Sequence, residues 1–145
     1  MADFTGIPAG VKRVTVNFIE VSTNGPSPVV VELGTSAEFR TSGYVGAVGV
    51  TLASSAVTVA SSTSGFQIVA ASMQAIRNGI LTLTLANASN NTWIASGITA
   101  DMNGPAVAIT SGYVSLPDVL GSIRVTTAGG TNIFDGGGIN ISWEI

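Results

Sequence analysis

Few side chains in this 145-residue chain are able to do chemistry. The acids are Asp3, Glu20, Glu32, Glu38, Asp101, Asp118, Asp135 and Glu144, and the bases are Lys12, Arg13, Arg40, Arg77 and Arg124. The absence of histidine and cysteine removes Ser-His-Asp and Cys-His nucleophilic machinery, zinc sites of the usual ligands, disulfides and thiol redox chemistry. Two carboxylates about 5 to 10 Å apart would suffice for glycoside hydrolysis, but no two of these acids form a recognisable pair in sequence. Glu20, Glu32 and Glu144 read as polar-face strand residues, and Asp3, Asp101, Asp118 and Asp135 as turn caps.

Metal and phosphate motifs fare no better. Asp101-Met102-Asn103-Gly104 is the nearest approach to a calcium loop and lacks its graded ladder of oxygen ligands. Asp135-Gly136-Gly137-Gly138 has neither the lysine nor the following helix of a phosphate loop and reads as a bulged turn before the last strand. The sequons at Asn87, Asn90 and Asn140 are what chance gives in a chain this rich in Asn, Ser and Thr. The expectation is a non-enzyme with no catalytic residue, no metal and no cofactor.

Binding is the better-supported chemistry. Tyr44, Trp93 and Tyr113 lie in or beside turn segments with Asn and Ser neighbours, as do Phe39 and Phe66, and aromatic faces in such settings serve sugar and protein recognition. The competing reading is that each anchors a loop to the core. Phe18 and Trp143, the latter in phase with Ile139 and Ile141, read as core or oligomer contacts. Five bases, only two of them adjacent, make no footprint for nucleic acid.

The elements that must position these residues are strands. Period-two alternation marks Val14 to Phe18, Val57 to Val59, Leu81 to Leu85, Val107 to Ile109, Ile123 to Val125 and Ile139 to Trp143. Val29-Val30-Val31 reads as a strand buried on both faces. The phase slips where Ile19 follows Phe18, so a bulge or sharp bend is expected there. Turn clusters separate the strands, among them residues 22–26, 41–43, 61–65, 78–79, 87–92, 103–105 and 128–130. Ala70 to Asn78 is the one stretch with helical potential, and it is too short and uncapped for more than a turn or a strand. The expected fold is all-β: a single antiparallel jelly-roll-like β-sandwich over residues 1–145, with about 8–10 strands and residues 1–6 as an extended N-terminal arm.

Composition adds a constraint. Hydrophobic residues make up 46% and charged residues only 9%, with a net charge of −3, so solubility rests on Ser, Thr, Asn and Gly. No run reaches the ~18 apolar residues of a spanning helix, so no membrane insertion is expected. The N-terminus lacks the basic and apolar regions of a signal peptide, which implies synthesis in the cytoplasm. Edge strands without lysine or proline invite pairing with another chain, and a homo-oligomer is the expected cover.

Three blocks, in order, carry a family resemblance: DFTGIPAGVKRVTVNFIEVSTNG (Asp3 to Gly25), NTWIASG (Asn91 to Gly97) and IRVTTAGGTNIFDGGGINISWE (Ile123 to Glu144). The set resembles the C-terminal domain of tailed-bacteriophage tail fibres and virion structural proteins, and the segment from about Glu38 to Ser89 matches it only in composition. The resemblance implies a homotrimeric component of the virion exterior, made in the bacterial host, with other virion proteins as partners. Its expected role is receptor binding by a tail-fibre tip, with a host surface glycan or outer-membrane protein as the target. The alternative is a capsid decoration or head-fibre protein that stabilises the assembled coat. A depolymerase is the enzymatic variant, weakened by the missing carboxylate pair. No shaft or coiled coil precedes the first block, so the expectation is either a stand-alone protein docked on another virion protein or an excised domain.

Overall fold

The computed structural model describes residues 1–69 and 75–145. Among the described residues there is no helix, and eleven strands form two antiparallel sheets. They are β1 (Ala2–Thr5), β2 (Arg13–Thr23), β3 (Val29–Gly34), β4 (Val45–Leu52), β5 (Val57–Ser61), β6 (Phe66–Gln67), β7 (Arg77–Asn87), β8 (Thr92–Asp101), β9 (Ala106–Ser115), β10 (Ser122–Thr127) and β11 (Phe134–Glu144). The smaller sheet has the order β1-β10-β3-β6 and the larger β11-β2-β7-β8-β9-β4-β5. The residues expected to form an arm supply β1, which pairs with β10 from Ala2↔Val125 to Thr5↔Ser122.

The two inner faces meet in a predominantly apolar core. Val14, Val16 and Phe18 of β2, Leu81 and Leu83 of β7 and Trp93 of β8 pack against Val31 and Leu33 of β3 and Ile123 and Val125 of β10. Burying each such side chain contributes roughly 1.5–3 kcal/mol, which is why the alternation of Val14 to Phe18 and of Leu81 to Leu85 is clean. Val29, Val30 and Val31 are all buried, as a strand covered on both faces requires. A second, smaller cluster of Val48, Val50, Val69, Ala106 and Ala108 fills the space under β4 and β9.

The slip after Phe18 is a bulge in β2. Its register against β7 shifts between Phe18 and Val21, leaving Ile19 exposed and Glu20 at a φ of 51°. Across the other edge, β11 shifts register between Phe134 and Gly138, so the glycine run of residues 136–138 lies inside a bulged strand rather than before it. Asn78-Gly79, expected as a turn, continues β7: Gly79 pairs with Thr99. Of the Ala70 to Asn78 stretch, residues 70–74 lie outside the described residues, and Arg77 and Asn78 open β7.

In β9 the large members of the Val107-Ala108-Ile109 alternation face outward, while Ala106, Ala108 and Thr110 face in. Small inward residues leave room for β6, whose Phe66 packs edge-on to Tyr44 with ring centroids 5.0 Å apart.

Candidate interaction surfaces

Three charged residues far apart in sequence converge on the outer face of the smaller sheet. There the register sets Asp3 opposite Arg124 and Arg124 opposite Glu32. Arg124 donates from Nε and Nη2 to the two oxygens of Asp3, each at 2.8 Å, a bidentate fork. The Phe39 ring lies 4.1 Å from the guanidinium carbon. Asp3 thus acts through a strand pair rather than as a turn cap.

Two carboxylates far apart in sequence therefore flank one guanidinium, and their environments differ. The hydrogen bond from Arg124 holds the Asp3 carboxyl below its ordinary pKa of 3.8. Burial pushes Glu32 above its ordinary 4.5, and the attraction of Arg124 only partly offsets this. Opposed shifts of this kind are also how acid-base pairs are built, but Glu32 is only 7% exposed. The neighbouring cavity, about 210 Å³, is lined by Thr5, Thr35, Ser36, Glu38, Phe39 and others, and by none of the three charged residues. The cluster pins β1 to β10.

Its pH dependence follows from the two directions. Asp3 stabilises the fold above pH 3.8 and loses that contribution as the pH falls through its lowered folded pKa. Glu32 works in the opposite sense, because the folded state favours its protonated form. Stability is lost as the pH rises from 4.5 through its raised value. Glu32→Gln is therefore expected to gain thermal stability relative to the parent at pH 7 and to show no such gain at pH 4. Melting curves at the two pH values check this, and a pH-independent difference would refute it.

The remaining acids serve loops and edges. Asp101 accepts from the backbone N–H groups of Ile76 at 3.0 Å and Asn103 at 2.9 Å. Asp135 accepts from the Ser22 hydroxyl at 2.6 Å, and Asp118 from the N–H of Val119 at 2.7 Å. No group of three or more His, Cys, Asp or Glu that could hold a metal ion occurs among the described residues.

The candidate aromatics divide between interior and surface. Tyr44 is buried, its hydroxyl accepting from the Leu33 N–H at 2.7 Å and donating to the Arg40 carbonyl at 2.8 Å. It clamps the loop after β3. Tyr44→Phe strands the buried Leu33 N–H and is expected to cost about 1–3 kcal/mol in denaturant titrations; a loss below the lower bound would mean that water or a shifted loop replaces the clamp. Trp93 is buried, and its ring borders a cavity of about 230 Å³ together with Val11, Lys12, Leu85, Asn91 and Leu120. Its indole N–H has no hydrogen-bond partner and is itself shielded from solvent, so a molecule in that cavity does not reach it as packed. Phe18 is core. Trp143, on edge strand β11 opposite Val14, is 42% exposed.

Tyr113 alone of the three binding candidates is exposed, and it belongs to a larger feature. The outer face of β7-β8-β9-β4-β5 is ruled in rows by the strand register. One row runs Ile80, Ile98, Ile109, Gly49, Val59; the next runs Thr82, Ser96, Ser111, Ala47, Ser61; a third runs Thr84, Ile94, Tyr113, Val45. On the other side of the isoleucine row lie Asn78, Ala100, Val107, Thr51 and Val57. None of these outward positions is charged. The charges of this sheet face gather on the far side, where Arg13 of β2 opposes Glu144 of β11.

No family model and no curated protein matches this chain. Two features dominate its described surface: a charged cluster that is absorbed in holding strands together, and an uncharged sheet face whose apolar rows are left in water.

Proposed function

We propose that this chain is a non-catalytic component of a tailed-bacteriophage virion, a tail-fibre tip domain that recognises the host surface as a homotrimer. The observation that carries the reading is where the family-like blocks lie in the fold. The opening block forms β1 and β2, the closing block forms β10 and β11, and they pair with each other in both sheets, β1 with β10 and β2 with β11. Blocks separated by most of the chain are thus two halves of one frame. The segment from about Glu38 to Ser89, which shares only composition with the family, supplies the inserted strands β4, β5, β6 and β7.

We read the topology as jelly-roll-like. The pairs β2·β11, β3·β10 and β4·β9 are nested in sequence and alternate between the larger, smaller and larger sheet, with the β7-β8 hairpin inserted between the first and third. On this reading, host contact is made by loops of three identical subunits. Weak individual contacts to a surface glycan or outer-membrane protein are summed by avidity, and the partners within the particle are the other copies and the virion protein on which they dock.

Gold-labelled antibody on intact virions tests the location, with label expected at the distal tail. Label spread evenly over the head would replace the reading with coat decoration. Sedimentation equilibrium tests the assembly, with a mass about three times 14.5 kDa expected. Release of reducing ends from host polysaccharide would overturn the non-catalytic role.

A further inference from the structure

We infer that the uncharged outer face of β7-β8-β9-β4-β5 is the surface through which copies of this chain meet, with the row Ile80, Ile98, Ile109 and Val59 at its centre. The assignment rests on the homo-oligomeric part of the function proposed above and not on the virion location. Four observations carry it.

The first is exposure. Ile98, Ile109 and Val59 are 62, 61 and 73% exposed; Ile98 and Ile109 are directly opposed, and Val59 follows in the same row across Gly49. The second is inversion: in β9 the fold points the large Val107 and Ile109 to solvent and the small Ala106 and Ala108 to the core. A strand facing water on one side has the opposite arrangement. The third is size. Five strands about 4.8 Å apart, each giving about seven residues at ~3.3 Å, make a plan area of roughly 500 Å². Pleating makes the accessible surface larger than this plan area, towards the ~800 Å² that each partner gives to a standard interface.

The fourth observation identifies the occupant. A face without charge offers nothing to a charged or strongly polar partner, whereas a second copy brings the same uncharged surface and leaves no ion desolvated. The row of Ser, Thr and Ala side chains lies between two apolar rows, so three such faces turned inward about a threefold axis set the isoleucines of one copy against the small residues of the next, a heterologous contact that closes as a ring. The face also ends at β5, an edge strand exposed at every residue, which a neighbouring subunit would cover. Tyr113 and Ile94, opposite each other at 47 and 46% exposure, then belong to the subunit contact rather than to host recognition.

The test uses paired substitutions and sedimentation. Ile98→Glu with Ile109→Lys puts an ion pair on directly opposed positions, which supports the sheet locally and charges the face. At tens of micromolar the double variant is expected to sediment as a 14.5 kDa monomer with an unchanged circular dichroism spectrum. Thr15→Lys with Ser142→Glu makes the same change on the polar side of the sheet and is expected to stay assembled.

Because the chain has no cysteine, single Ile98→Cys and Ser142→Cys variants give a second readout that holds even if the charged variant fails to fold. Maleimide is expected to label the first at least tenfold more slowly than the second. A parent protein that is itself a monomer overturns both this assignment and the trimer. An assembled parent whose charged-face variant is folded and remains assembled, or whose two cysteines label equally fast, overturns the face alone and leaves the trimer standing.

Discussion

Replacing Arg77 by alanine is expected to destabilise the fold by about 3–5 kcal/mol, from the cavity left by a large, fully buried side chain and from two buried carbonyls that lose their donor. Arg77 is the first residue of β7 and has no exposed surface. The register places it between Val21 of β2 and Asp101 of β8. Its Nη1 donates to the carbonyl oxygens of Val21 and Ala75, each at 3.4 Å. Burial lowers its pKa, and the nearby Asp101 and Asp135 carboxylates oppose that shift. An arginine remains charged under these conditions, because its ordinary pKa lies so far above neutrality.

Alanine at this position removes the cation that faces Asp101 and Asp135, takes a donor from two carbonyls and leaves a cavity. Arg77→Met keeps most of the volume and removes only the charge and its hydrogen bonds, so it is expected to lose about half as much, roughly 2 kcal/mol, the cost of the carbonyls left without a donor. Urea titrations of parent and variants at one protein concentration, followed by circular dichroism, separate the two, since assembly makes midpoints concentration-dependent. An Arg77→Ala variant within 1 kcal/mol of the parent would show that water enters and solvates the site. Against the 5–15 kcal/mol typical of a whole domain, the expected loss is large enough to reduce the folded population near body temperature.

How far the sequence reveals this architecture depends on what lies over each strand. β2, β7 and β11 keep polar residues such as Thr15, Thr82 and Asn140 outside and apolar ones inside, and their alternation predicts them directly. β8 carries Trp93 and Ala95 inward and Ile94 and Ile98 outward, so no period-two signal survives, and the strand is hidden between turn clusters. β4 is masked in the same way by Gly46, Gly49 and Ala47. The apolar outer face that makes these strands hard to read is the face assigned here to the subunit contact, which is the behaviour of strands covered on both sides.

The candidate surfaces were less legible, because adjacency to a turn does not determine which way a side chain points. Tyr44 and Trp93 both border turns, yet one hydroxyl and one ring are folded inward by the clamp to Leu33 and Arg40 and by the β8 register. The Asp3, Arg124 and Glu32 row depends on strands 30 and 120 residues away from the first acid meeting at one point, and only the pairing of β1 with β10 and β10 with β3 brings them together. The bulge after Phe18 is different: it leaves a local trace, two adjacent apolar residues in an alternating run, and that trace is readable.

The same bulge sets the last expectation, a loss of about 2–4 kcal/mol for Gly137→Ala, the sum of a left-handed backbone penalty and a backbone collision. Gly137 has a φ of 80°, and a Cβ there would overlap the carbonyl carbon and oxygen of Glu20 and the oxygen of Ile19. Glu20 has itself been forced to a φ of 51° by the extra residue in β2, with its N–H held by Asn78 at 2.8 Å. The two irregularities therefore interlock, one strand's bulge occupying the space that glycine leaves in the other. Gly129→Ala supplies the comparison, since Gly129 has a φ of 83° and nothing within 4 Å of its Cβ position. It carries the conformational penalty alone, about 1–2 kcal/mol. If the collision matters, Gly137→Ala exceeds it by at least 1 kcal/mol in urea titration; equal losses would mean that β11 shifts freely to relieve it. Because β11 is the outermost strand beside β2, loosening it also bares the β2 edge, so the Gly137→Ala variant is expected to aggregate on partial unfolding where Gly129→Ala does not.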